Sequence, residues 1–81
     1  MTLTKLKYVE PEYNYRKPKW PEDIDRIIKA LARLGYEISH NSARMAWEDY
    51  SQTMCAGWLS TDGLTDETIW SNVEPFLEIE K

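Results

Sequence analysis

One segment of the sequence repeats its apolar residues at the interval of a helix. Between Pro21 and Gly35, apolar residues recur every three or four positions, at Ile24, Ile27, Ile28, Leu31 and Leu34. This spacing gives a helix one apolar face, which other elements must cover. Proline is favourable at the first helical position, and glycine commonly supplies the left-handed residue that ends a helix. The pattern therefore predicts a helix over about residues 21–34.

A second helix is predicted over residues 39–56. Ser39 is a preferred N-cap residue, and Gly57 would end the helix. The large and small apolar residues between them share one helical face, which consists of Ala43, Trp47, Tyr50 and Met54. We expect this face to be buried.

A third helix is predicted over residues 65–74. Thr65 suits the N-cap, and Asp66 and Glu67 follow it in the first turn, where carboxylates interact favourably with the helix dipole. Pro75 lacks a backbone N–H and would end the regular helix at the residue before it.

The N-terminal segment does not fit a helix. Residues 2–9 tolerate a β conformation and could form a short strand. Residues 10–21 contain three prolines, which favour an extended chain. We therefore predict an extended basic arm with proline and tyrosine over residues 1–20, followed by an acidic three-helix domain over residues 21–81. The predicted fold class is mainly α.

Charge is distributed unevenly along this chain, whose formal net charge is −4. Residues 1–20 carry a net charge of +3, and residues 21–81 carry −7. From Met45 to Glu80 there is no Lys or Arg, and the acidic residues in this stretch are Glu48, Asp49, Asp62, Asp66, Glu67, Glu74, Glu78 and Glu80. Such a stretch repels nucleic acids and membrane surfaces, and it suits a basic protein surface.

The residues that common catalytic and metal sites need are missing from the sequence. Cys55 and His40 are its single cysteine and histidine, and on one helix they would lie about 22 Å apart. One His and one Cys cannot form a zinc site, and Asp62, Asp66 and Glu67 lack the number and spacing of calcium ligands. No glycine-rich phosphate-binding motif occurs. We expect no enzymatic activity, no metal and no cofactor, and we expect Cys55 to be a small buried residue.

The first two predicted helices, joined by a short turn with a glycine, have the outline of a helix-turn-helix motif. That motif needs apolar residues at positions where this sequence has Asn41 and Arg44. Arg44 is also the one cation that the second helix offers, whereas phosphate contacts supply most of the affinity of such proteins for DNA. Direct nucleic-acid binding is therefore disfavoured, and a nucleic-acid-binding regulator that uses the basic arm at Lys17–Lys19 is the alternative function.

About half of the chain, residues 36–77, carries a pattern of aromatic rings, small residues and a glycine. Its members are Ile38, Ser39, Ala43, Trp47, Tyr50, Ser51, the run Cys-Ala-Gly-Trp-Leu at 55–59, Asp66 and Glu67. The pattern resembles short uncharacterised phage and prophage accessory proteins. Small acidic phage proteins of this kind include anti-CRISPR proteins, which commonly inhibit by occupying a basic nucleic-acid-binding or subunit surface of a CRISPR effector. The resemblance implies a stoichiometric inhibitor and assigns no site residue.

The combined interpretation is a non-enzymatic protein–protein interaction module of the phage-inhibitor type, whose acidic surface occupies a basic site on its target. The candidate partner-binding residues are Glu48, Asp49, Asp62, Asp66, Glu67 and Glu74. The sequence has no signal peptide and no apolar run near 18 residues, so we expect a cytoplasmic protein without membrane contact. Homodimerisation through exposed aromatic residues is a further alternative.

Overall fold

A three-stranded sheet carries three helices on one of its faces. The computed structural model describes residues 2–10 and 21–80. In chain order the elements are β1 (Thr4–Tyr8), α1 (Pro21–Arg33), β2 (Tyr36–Ile38), α2 (His40–Thr53), α3 (Asp66–Val73), a 3₁₀ turn (Glu74–Phe76) and β3 (Leu77–Ile79). The class is therefore α+β, and the predicted mainly-α three-helix fold is wrong.

The sheet joins the two ends of the described chain. Its strand order is β2-β1-β3, with β1 parallel to β2 and antiparallel to β3. The register places Leu6 opposite Ile38 on one side and Ile79 on the other. The sequence did not predict the sheet because β2 and β3 have only three residues each, which is too short for an alternating pattern to be recognised.

β1 shows the alternation of a strand with one buried face. Leu6 and Tyr8 are 5% and 7% exposed, whereas Lys5 and Lys7 point to the open face of the sheet and are exposed. The predicted arm with a short strand at 2–9 therefore contains the central strand of the fold. Residues 11–20 of that predicted arm lie outside the described residues.

The three predicted helices are present, and both predicted N-caps are confirmed. Ser39 Oγ accepts the backbone N–H of Ser42 at 3.1 Å, and Thr65 Oγ1 accepts that of Thr68 at 3.2 Å. Gly35 follows α1 with φ of +97°, a conformation that residues with a Cβ rarely adopt.

α2 ends three residues earlier than predicted, at Thr53. Cys55, not Gly57, takes the left-handed conformation after it, with φ of +59°. The chain turns there because the backbone of Leu59 returns to α2, where it bonds to side chains of the helix. As a result Met54, predicted on the buried face, is 58% exposed, and Cys55, predicted to be buried, is exposed.

The core lies between the sheet and the helices. Its largest fully buried apolar side chains are Trp47, Ile24, Ile27, Leu31, Ile69 and Val73. Arg44 is only 3% exposed, and its Nη1 lies 2.9 Å from Glu48 Oε1. The single cation that we expected α2 to offer to a nucleic acid is thus inside the fold.

Across residues 2–10 and 21–80, no helix combines the length and apolar character that crossing a membrane requires.

Candidate functional site

Three of the six predicted partner-binding carboxylates hold the fold together. Glu48 is bonded to the buried Arg44, and Asp49 accepts a hydrogen bond from the hydroxyl of Tyr8 on β1. Asp66, the first residue of α3, is bonded to two arginines of α1. These three carboxylates therefore have partners within the protein.

The Asp66 carboxylate links the start of α3 to α1. Arg33 binds both of its oxygens, at 2.7 and 2.8 Å, and Arg26 Nη1 binds Oδ1 at 2.8 Å. Arg26 also donates to the carbonyl of Leu64 at 2.9 Å, so it holds the residues before α3 as well. The hydrogen bond from Arg33, followed by that from Arg26, keeps the pKa of Asp66 far below the ordinary value for a carboxyl group.

The other three predicted carboxylates are exposed. Asp62 precedes α3, Glu67 lies in its first turn, and Glu74 follows its last residue. Because α3 has eight residues, its two ends are about 12 Å apart. Of these three carboxylates, Asp62 lines a concavity to which Glu67 and Glu74 do not contribute.

Asp62 lines a cleft of about 330 Å³ between the first turn of α1 and the loop that follows α2. The other lining residues are Glu22, Asp23, Trp58 and Ser60. We call this concavity the Asp23 cleft. Three of its five lining residues are acidic and one is a tryptophan, so it combines negative charge with an aromatic ring.

Asp23 fixes the tryptophan side of the cleft. Its Oδ2 accepts the indole N–H of Trp58 at 2.8 Å, and its Oδ1 accepts the hydroxyl of Thr61 at 2.6 Å. Thr61 is 3% exposed, whereas Trp58 is half-buried. One carboxylate thus holds both the ring and the backbone that follows it against α1.

α2 holds the same loop from the other side. The indole N–H of Trp47 donates to the carbonyl of Leu59 at 2.7 Å, and the N–H of Leu59 donates to Ser51 Oγ at 3.0 Å. Trp47 and Ser51 are both fully buried and lie one helical turn apart. This Leu59 clamp places Trp58 and Ser60 at the edge of the cleft, so the cleft is preformed.

The cleft was only partly predictable. The sequence predicted Asp62 as a binding residue, whereas Glu22, Asp23 and Trp58 were not among the predicted binding residues. Asp23 and Trp58 are 35 residues apart, so no local pattern relates them. The sequence features that could have indicated the cleft are the acidic residues in the first turn of α1 and a tryptophan directly after the glycine predicted to end α2.

A second concavity, of about 390 Å³, lies on the sheet near the start of α2. Its charged lining residues are Lys5, Lys7, Glu37 and Glu80, so positive and negative side chains are present in equal number. This concavity has no net preference for a charged ligand.

The sequence candidates for catalysis and metal binding do not come together. His40 Nε2 lies 3.4 Å from Asp25 Oδ1, and both side chains are well exposed. Cys55 is exposed in the loop after α2, at the opposite end of that helix. In the part of the chain that the structure describes, no group of three His, Cys, Asp or Glu residues could hold a metal ion.

No protein-family model, curated protein or solved structure matches this chain. The resemblance to phage accessory proteins therefore stays a prediction.

Proposed function

We propose that this protein is a non-enzymatic protein-binding module that receives a lysine or arginine side chain of a basic partner in the Asp23 cleft. The observation that carries the proposal is the composition of the cleft: exposed Glu22 and Asp62 beside a tryptophan whose indole N–H is held by Asp23. A phage-borne inhibitor that occupies a basic site would be one form of such a module.

The charges of the cleft favour a cationic group over other ligands. Glu22 and Asp62 are exposed carboxylates, and the lining residues of the cleft include no Lys or Arg. A cation that enters would lie between carboxylates in a partly desolvated space, where attraction is stronger than in bulk water. The negative net charge of the chain adds to the attraction at longer range.

Trp58 supports recognition of an organic cation. Tryptophan is the best aromatic partner for a cation–π contact, and Arg guanidinium groups use it most often. The orientation of the Trp58 ring is already fixed before a partner binds, because its indole N–H donates a hydrogen bond to Asp23. A preformed site of this kind loses less side-chain entropy when the partner arrives.

The size of the cleft favours one side chain of a protein partner. Its volume of about 330 Å³ is at the lower end of the range of roughly 300–1,000 Å³ that is typical of small-molecule pockets. A single cationic side chain gives little affinity, so a stable complex also needs contacts outside the cleft.

The test compares two double variants that lose the same formal charge. Glu22→Gln with Asp62→Asn, the cleft variant, removes the exposed carboxylates of the cleft. Glu67→Gln with Glu74→Gln, the α3 variant, removes one exposed carboxylate in the first turn of α3 and one directly after its last residue. The probe is a panel of labelled arginine-rich peptides, each with a matched peptide in which citrulline replaces arginine, titrated by fluorescence anisotropy at about 50 mM salt.

We expect the arginine peptides to bind and the citrulline peptides to bind much more weakly. The cleft variant should weaken binding about two- to thirtyfold, which corresponds to two exposed charge pairs of about 0.2–1 kcal/mol each. The α3 variant should bind nearly as the wild type does. Equal weakening by both variants would show a bulk charge effect, and no binding of any arginine peptide would exclude the cleft as a cation site.

A further inference from the structure

The outer edge of β3 presents backbone groups that the sheet does not use. The N–H of Glu80 bonds to the carbonyl of Lys5, and the N–H of Val9 bonds to the carbonyl of Phe76. In an antiparallel pair, residues alternate between those that bond to the neighbouring strand and those that point away from it. Ile79 is of the second kind, so its N–H and C=O point away from β1, as does the carbonyl of Leu77.

The side chains at this edge leave an apolar surface open. Ile79 lies on the face of the sheet that the helices cover, opposite the buried Leu6, yet it is 58% exposed. The opposite edge of the sheet differs, because Ile38 of β2 is 7% exposed and Tyr36 stacks on Trp70 of α3 with ring centroids 4.5 Å apart. Only the β3 edge therefore combines free strand backbone with an uncovered apolar residue among the described strands.

The open face of the sheet carries charges that alternate in sign from strand to strand. In one row Glu37 of β2 lies beside Lys5 of β1, and Lys5 lies beside Glu80. In the next row Lys7 Nζ lies 3.5 Å from Glu78 Oε1. Both rows end on a carboxylate at the β3 edge. Because opposite charges on adjacent strands are stabilising and like charges are destabilising, a strand added there would be favoured by cations in both rows.

We propose that the β3 edge is a second binding surface, which adds an extended segment of a partner protein in which cationic and apolar residues alternate. The cations would lie beside Glu78 and Glu80, and the apolar residues would cover Ile79. Backbone hydrogen bonds would supply affinity and the alternating side chains would supply specificity, as in other complexes formed by strand addition. This surface is distinct from the Asp23 cleft and does not depend on it.

A second copy of the protein fits this edge less well. If the β3 strands of two copies paired, Glu78 and Glu80 of both copies would lie on the same face of one continuous sheet. Four carboxylates would then be neighbours across the new interface, which is destabilising. A cationic partner segment has the charge that this edge lacks.

The experiment uses an eight-residue peptide of alternating Lys and Val, and a control peptide of alternating Glu and Val. The variant is Ile79→Pro, because proline removes the outward N–H and blocks an added strand, while the N–H groups that bond to β1 belong to other residues. Titrations by fluorescence anisotropy use the wild type, Ile79→Pro, and the cleft variant Glu22→Gln with Asp62→Asn.

We expect the Lys–Val peptide to bind Ile79→Pro at least about tenfold more weakly than the wild type, and we expect the cleft variant to lose less affinity than Ile79→Pro does. The Glu–Val peptide should not bind. Amide hydrogen exchange of the wild type checks the same point without a variant, since saturation with the Lys–Val peptide should slow exchange at Ile79 at least about tenfold. Unchanged exchange at Ile79, or equal affinity of Ile79→Pro, would overturn the proposal. The proposal would also be overturned if the protein dimerised without any peptide and Ile79→Pro abolished that dimer. The β3 edge would then pair with a second copy of the protein.

Discussion

The Leu59 clamp makes a quantitative prediction about stability. Replacing Ser51 with alanine removes the oxygen that accepts the backbone N–H of Leu59 at 3.0 Å. Ser51 is fully buried, and the smaller side chain introduces no clash. A buried donor without an acceptor costs about 1–3 kcal/mol. Because Leu59 is only half-buried, we expect the lower part of that range, about 1–2 kcal/mol.

A second effect of the substitution opposes the first. Alanine has a higher helix propensity than serine, by up to about 0.7 kcal/mol, and Ser51 lies within α2. Ser71→Ala is the matched control, because Ser71 is an exposed serine within α3. Ser71→Ala therefore measures the stability gained from the higher helix propensity of alanine, without the loss of a buried hydrogen bond.

The assay is urea unfolding followed by circular dichroism, which gives the free energy of unfolding of each variant. Ser51→Ala should be less stable than Ser71→Ala by about 1–2 kcal/mol. For a domain of this size that difference lowers Tm by about 4–8 °C per kcal/mol. If the two variants agree within about 0.5 kcal/mol, which is the usual spread of surface substitutions, the hydrogen bond to Leu59 does not stabilise the loop.

Three other substitutions test how the elements are joined and ended. Asp66→Asn should lower stability at pH 7, and the stabilities of wild type and variant should converge as the pH falls from about 4 towards the lowered folded-state pKa. A carboxyl group with a lowered folded-state pKa stabilises fully above its ordinary pKa and loses that contribution progressively below it. Curves that stay parallel would contradict the role of Arg26 and Arg33. Gly35→Ala, at φ of +97°, should lower stability by about 1 kcal/mol or more, since residues with a Cβ are strained there. Cys55→Gly, at φ of +59°, should leave stability unchanged or raise it by up to about 1 kcal/mol. Thermal unfolding measures the stability of both variants. A Gly35→Ala variant that is as stable as the wild type, or a Cys55→Gly variant that is clearly less stable, would contradict the effect expected from the positive φ at that position.

The local features of the fold were predictable from the sequence, and the sheet was not. α1 has one continuous apolar face over 13 residues, and the caps at Ser39 and Thr65 act within three residues of themselves. The neighbours of β1, in contrast, lie about 30 and 70 positions further along the chain, in strands of three residues. A strand of that length exists because of its partner, so its own residues do not identify it.

The same distinction applies to the candidate site. The sequence shows the excess of negative charge after Arg44. It does not show which of these carboxylates bond to side chains of the protein itself. Asp66 reaches Arg33 across 33 residues, and Asp49 reaches Tyr8 across 41. Asp23 became part of a cleft because it bonds to Trp58, which early termination of α2 brings back to α1. Charge composition led to the prediction of a basic partner, and only the tertiary contacts located the cleft.

The most direct test of the cation-binding proposal is an NMR titration of the ¹⁵N-labelled protein with an arginine-rich peptide. The signal to follow is the indole N–H of Trp58, assigned with Trp58→Phe, because this group is held by Asp23 within the cleft. The proposal predicts saturable shifts that are largest at the Trp58 indole and at the amides of Ser60 and Asp62, and that vanish with the citrulline peptide. Shifts centred on Glu67 and Glu74, with the Trp58 signal unmoved, would contradict it.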